Sequence, residues 1–163
     1  MRSYPAAAVV LALLSTTACS RLSAPGATAG PAPTTSTAAS DLAEKDLAKL
    51  QGTWRIESSV WNGVREPDIA RSVTILFQGN KFIVIDKDGN RLEETIQLMP
   101  EQNPKAIDCS RKGDSAASPG IYSLEGDVFT WCSAGGEKRV RPTLFASKSR
   151  SKHRLMILRR EKS

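Results

Sequence analysis

The stretch "LQGTWRIESSVWNG", residues 50–63, marks where one hydrophobic period gives way to another. Upstream, "DLAEKDLAKL" (residues 41–50) sets Leu42, Leu47 and Leu50 among Ala, Glu and Lys, with Ser40 or Asp41 placed to cap its start. That pattern predicts a helix of about two or three turns, stopped at Gly52. Downstream the period is two: Trp54, Ile56, Ser58 and Val60 fall on one side, Arg55, Glu57 and Ser59 on the other. Such alternation predicts a strand with one buried face. Asn62-Gly63 then supplies residues that tolerate a tight hairpin turn.

The strand period persists to the end of the chain. "SVTILF" (72–77), "KFIVID" (81–86) and "RLEETIQLM" (91–99) are separated by "QGN" and "DKDGN" turns. A short strand in "PEQNPKAIDCS" (100–110), "IYSL" (121–124), "VFTWC" (128–132), "RVRPTLFAS" (139–147) and "RLMILRR" (154–160) complete the series. Short alternating runs with turn signals about every 8–12 residues predict an all-β domain of about eight strands, a barrel or a sandwich.

The other end of the chain reads as an address. "MRSYPAAAVVLALLSTTACS" (1–20) has one basic residue, an apolar core from Ala6 to Leu14, and small residues before Cys19. This is the layout of a secretory signal, with an apolar run too short to span a bilayer. It resembles a bacterial lipoprotein signal, in which Cys19 becomes an acylated N-terminus and residues 1–18 are removed. Thr16 stands where that pattern usually has Leu, so ordinary signal-peptidase cleavage is the alternative. Ser20 after the Cys implies, by the same resemblance, sorting to the outer membrane. Residues 19–40, rich in Ala, Pro, Ser, Thr and Gly, are expected to be a disordered tether, and 41–163 the single domain.

A short helix feeding Gly-x-Trp at the first strand of a β-meander resembles the lipocalin-like barrel. In that pattern the Trp, here Trp54, seals the closed end, and a late Arg, here Arg159 or Arg160, packs across it. The whole domain is similar to an uncharacterised lipocalin-like family of planctomycete-type bacterial proteins that opens "LQGTW". The shared stretches are "NPKAID", "GIYSLEGD", "RPTLFAS" and "LMILRRE". The resemblance implies an extracytoplasmic barrel and brings no established activity.

The candidate chemistry is sparse. "DKDGNRLEETIQ" fails as a calcium loop, because Gly89 comes too early and Gln97 stands where a bidentate acid is needed. His153, the only histidine, sits between Lys152 and Arg154 as an expected surface residue. Cys109 and Cys132 are candidates for a disulfide after export. Their opposite strand parity and an intervening strand leave free thiols as the alternative. Glu94 shares parity with Leu92, Ile96 and Leu98, so it points inward, paired with Arg139 or Arg141, or sits at the rim; in the other register of the strand, Thr95 and Gln97 are inside. Lys148, Arg150, Lys152 and Arg154 alternate with small or polar residues; on an extended strand they would form one basic face for an anionic surface, or a solvated one.

The formal net charge is +6, with the excess late in "SKSRSKHRLMILRREKS" (147–163). For an exported chain that charge suits anionic headgroups or envelope polymers better than nucleic acid. No catalytic constellation, metal site or cofactor motif is visible. The expectation is a non-enzymatic envelope protein, anchored to membrane, that binds a small apolar ligand or serves as an interaction module. An enzyme or accessory acting on lipid or envelope polymer, and a structural domain docking on anionic surfaces, are the alternatives.

Overall fold

A computed structural model describes residues 35–162. In chain order it contains α1 (Thr35–Leu50), β1 (Gly52–Trp61), β2 (Val64–Arg65), α2 (Pro67–Ser72) and β3 (Val73–Gln78). Then follow β4 (Lys81–Asp86), β5 (Arg91–Met99), β6 (Ala106–Arg111), β7 (Ser118–Glu125), β8 (Val128–Ala134) and β9 (His153–Arg160). All neighbours pair antiparallel, and β9 returns to pair with β1 from Trp54↔Arg160 to Trp61↔Arg154. Eight strands, β1 and β3 to β9, thus form a closed lipocalin-like barrel; β2 is a two-residue addition to β1.

Helix α1 begins at Thr35, so Ser40 and Asp41 lie within it and do not cap it. The tether expected over 19–40 therefore gives way to helix six residues earlier; the signal segment and Cys19 lie outside the described residues. Its inward face is Ala43, Asp46, Leu47 and Leu50, the i, i+3, i+4, i+7 stripe of an amphipathic helix. Leu42 faces solvent. One charge is on the buried stripe: Asp46, 5% exposed, accepts from Lys105 Nζ at 2.7 Å and from Tyr122 Oη at 2.9 Å. These bonds fix the helix to the β6 and β7 side of one barrel end.

That end is sealed. Trp54 is fully buried and donates its indole N–H to the Leu50 carbonyl at 2.7 Å. Arg160 lies over the Trp54 ring, 4.3 Å from its centroid. Its guanidinium donates to the carbonyls of Lys49, in the last helical turn, and Gln51, just past it, acceptors that have no partner within the helix. Arg160 thus fills the expected floor position. Arg159 does not: it points outward to Glu57, 3.3 Å away.

Two expectations about strands need correction. The period of β1 breaks at a bulge between Ile56 and Ser58. An extra residue inverts the parity that follows, so Ser59 and Trp61 turn inward in place of Ser58 and Val60. The segment "RVRPTLFAS" is not a strand: residues 135–152 form one long connection from β8 to β9. The β1–β9 pairing has already closed the ring, so no edge remains for a further strand. The helix α2 was not anticipated, although Pro67 in its first turn, Asp68 beside it and Arg71 in its last turn are the usual signals.

Asp46 gives this arrangement a pH dependence. Burial alone would raise its pKa, but the Lys105 and Tyr122 hydrogen bonds and the charges of Lys105 and Lys49 hold it below the ordinary carboxylate value. A depressed folded-state pKa stabilises above the unfolded value of about 3.9 and loses that stability as pH falls through the folded value. Asp46→Ala, which leaves the buried Tyr122 hydroxyl without its acceptor, is expected to cost about 1–3 kcal/mol at neutral pH. The loss should shrink on acidification below about pH 4, as read from urea unfolding midpoints of the two chains.

Candidate functional site

The barrel interior is filled from one end only. Above the floor, Trp54, Phe77, Phe129 and Tyr122 pack edge-on or tilted, with ring centroids 5.6–6.3 Å apart. A second tier continues from them: Phe82 lies 5.4 Å from Phe77, and Trp131 lies 5.0 Å from Phe82. Such aromatic pairs add about 0.5–1.5 kcal/mol each beyond the area they bury. Past Phe82 and Trp131 the filling stops. A cavity of about 340 Å³ occupies the other half of the barrel. Its apolar wall includes Ile56, Ile75, Val84 and Met156, with Phe82 and Trp131 at its base.

One glycine sets where the base lies. A Cβ on Gly120 of β7 would sit 2.7 Å from Trp131 Nε1 and 2.8 Å from the Cys132 carbonyl. The indole therefore occupies the space that any side chain at 120 would claim. Trp131 Nε1 is buried there without an acceptor among the described residues.

The polar groups of the cavity sit towards its mouth. Glu94 on β5 points inward, as its parity suggested, but its partner is neither Arg139 nor Arg141. Arg111, directly opposite on β6, donates to Glu94 Oε1 through Nε at 3.2 Å and Nη2 at 2.9 Å. Arg141 instead holds Asp108 at 2.7 Å and the Gly120 carbonyl, while Arg139 faces Asp114.

The thiol of Cys109 donates to Glu94 Oε2 at 2.9 Å. Burial first, then the neighbouring carboxylate, pushes this thiol well above its usual range. It is a poor nucleophile for that reason.

No disulfide forms. Cys109 and Cys132 are both free and buried. Strand β7 separates their strands, and they face opposite sides of the sheet wall. Cys132 does point outward, as expected, but residues of the 135–152 connection cover it: its thiol lies 3.5 Å from the Ala146 carbonyl.

At the mouth, Arg154 on β9 lies over the Trp61 ring at 5.2 Å and pairs with Glu66 at 3.1 Å. Glu66 also accepts from the buried Ser59 hydroxyl at 2.8 Å. Glu66 immediately precedes α2, whose Ile69, with Val73 just after the helix, lines the cavity. The inverted parity of β1 is what brings Ser59 and Trp61 to this cluster. Arg154 therefore belongs to the cavity rim and not to a strand face with Lys148, Arg150 and Lys152. Those three lie in the connection before β9. His153, expected at the surface, is half-buried at the start of β9.

The cavity lining carries Glu94, Arg111 and Arg154, with Glu94 paired to Arg111 and Arg154 paired to Glu66 at the rim. It can enclose a compact apolar body and meet a polar or anionic group near its mouth. Without reductant, the folded chain should give no thiol reaction at residues 109 and 132 at mildly alkaline pH. Both thiols should titrate after unfolding in denaturant; absence of free thiol then would mean a disulfide.

Comparison with protein families, with curated proteins and with solved structures gives no match, so the functional reading rests on the geometry of this cavity.

Proposed function

We propose that this protein is an exported, lipid-anchored envelope protein whose barrel is a non-enzymatic container for a small, largely apolar ligand. The observation that carries this reading is the half-filled interior: a sealed aromatic floor beneath an apolar cavity of about 340 Å³ that reaches the opposite end. The volume is roughly twice that of a ~150 Å³ cavity that accepts benzene. It suits a ligand of about ten to fifteen non-hydrogen atoms, at the small end of natural binding sites. The ionisable groups inside are engaged with one another, Glu94 with Arg111 and Cys109, which favours holding over chemistry. Export and anchoring rest on the signal-like residues 1–18 and on Cys19, and membership of the lipocalin-like family on the "LQGTW" opening and the stretches that follow it.

Native mass spectrometry of the purified chain is expected to show a co-purifying small molecule. Val84→Trp, which projects a ring into the cavity from β4, should abolish that adduct while unfolding stays cooperative. An adduct that persists in Val84→Trp would place the ligand elsewhere and overturn the container reading. For the anchor, Cys19→Ser is expected to move the protein from the membrane fraction to the soluble one; unchanged partitioning would exclude acylation at Cys19.

A further inference from the structure

The open end of the barrel carries a surface that the cavity does not explain. Six large apolar side chains are exposed among the described residues: Leu42, Val64, Leu92, Val140, Leu144 and Phe145. Only Leu42 lies on α1, at the closed end. Val64 follows the β1–β2 turn, Leu92 near the start of β5 lines the cavity mouth and is accounted for by it, and the other three belong to the 135–152 connection, which joins the open ends of β8 and β9. Val64, Val140 and Leu144 are each about two-thirds exposed, at 66%, 70% and 67%. Exposed apolar groups gathered at one end of a molecule are a mark of an interaction site.

Charge identifies the partner. Arg65, Lys138, Lys148, Arg150 and Lys152 have no carboxylate within salt-bridge distance among the described residues. Of the remaining cations in or beside the connection, Arg139, Arg141 and Arg154 are paired with Asp114, Asp108 and Glu66. Glu137 is the one acidic residue in the connection.

Leu144 and Lys148 border the same shallow depression. The connection is also pinned to the β1–β2 turn: Asn62 N donates to the His153 carbonyl at 2.9 Å, and Lys152 N to Asn62 Oδ1 at 3.0 Å. Gly63 packs so closely on Ser149 that a Cβ would lie 2.6 Å from its backbone nitrogen. Arg150 and Lys152 both adopt left-handed backbone conformations, at φ 64 and 55. That conformation is disfavoured for a non-glycine residue, and strain of this kind gathers at functional segments.

We propose that this end docks on a bilayer containing anionic phospholipid, with Val64, Val140, Leu144 and Phe145 entering the interface and Arg65, Lys138, Lys148, Arg150 and Lys152 meeting the headgroups. Aliphatic and aromatic groups beside unpaired cations are the chemistry of an interfacial anchor. The docking surface adjoins the cavity mouth, and it is independent of whether the cavity holds a ligand.

The test places an environment-sensitive NBD fluorophore on the exposed Thr143, as Thr143→Cys in the full chain with Cys19→Ser; Cys109 and Cys132 are buried. The expected result is a blue shift and increased emission with phosphatidylcholine–phosphatidylglycerol vesicles and little change with phosphatidylcholine alone. Lys148→Glu/Arg150→Glu/Lys152→Glu should weaken the response by roughly two orders of magnitude or more in lipid concentration, and Val140→Ser/Leu144→Ser should abolish the blue shift. Both variants alter exposed residues, and circular dichroism checks their fold. No response to either vesicle, an equal response to both, or a response only to a soluble polyanion or to added unlabelled protein would overturn the proposal.

Discussion

The stacking of Arg160 over Trp54 is the contact on which the rest of the barrel depends. It joins the end of α1, the start of β1 and the end of β9 at one point, although Gln51 and Arg160 are separated by 109 residues. A closed barrel has no free strand edge only if its first and last strands meet in register. The guanidinium helps to set that register at Trp54↔Arg160. It also takes carbonyls at the C-terminal end of the helix, so the same side chain closes the sheet and seats the helix. Lysine would supply the charge without the flat, multiply donating group that this geometry uses.

With the floor closed, the interior divides into two halves of different chemistry. The half next to the helix is a packed aromatic core, in which size and ring orientation do the work. The half towards α2 leaves space and admits charge, but each carboxylate facing it is neutralised across a strand pair or across the mouth. Glu94 and Arg111 stand directly opposite each other, and Glu66 links Arg154 to Ser59. Such pairing lets ionised groups border a mostly apolar space at tolerable desolvation cost. Arg65, Lys138, Lys148, Arg150 and Lys152, none of them in an ion pair among the described residues, lie on the outside of the same end.

Much of this was legible in the sequence where one rule acted locally. Gly52 and Trp54 marked the change from helix to strand, alternation in β1 placed Trp54 and Ile56 together on the buried face, and parity separated Cys109 from Cys132. The failures among the strands have a common cause: pairing decided between strands is invisible along one. The bulge after Ile56 is set by the β9 partner, so Ser59 and Trp61 could not be assigned to the mouth. The partner of Glu94 depends on the β5–β6 register, which brought Arg111 opposite in place of an Arg about thirty residues further on. The "RVRPTLFAS" segment has strand-like residues, yet a closed ring offers them nothing to pair with. Helix α2 was legible in Pro67, Asp68 and Arg71, and only its brevity hid it.

The depth of the cavity comes down to a missing methyl group. Trp131 sets its Nε1 edge against β7 because position 120 has no side chain, and the volume above the ring exists because the ring has somewhere to retreat. Size of ligand and packing of the wall are thus one variable shared by two neighbouring strands. A lineage could resize the container by exchanging residues at that single pair, with the floor, the helix and the charged rim untouched.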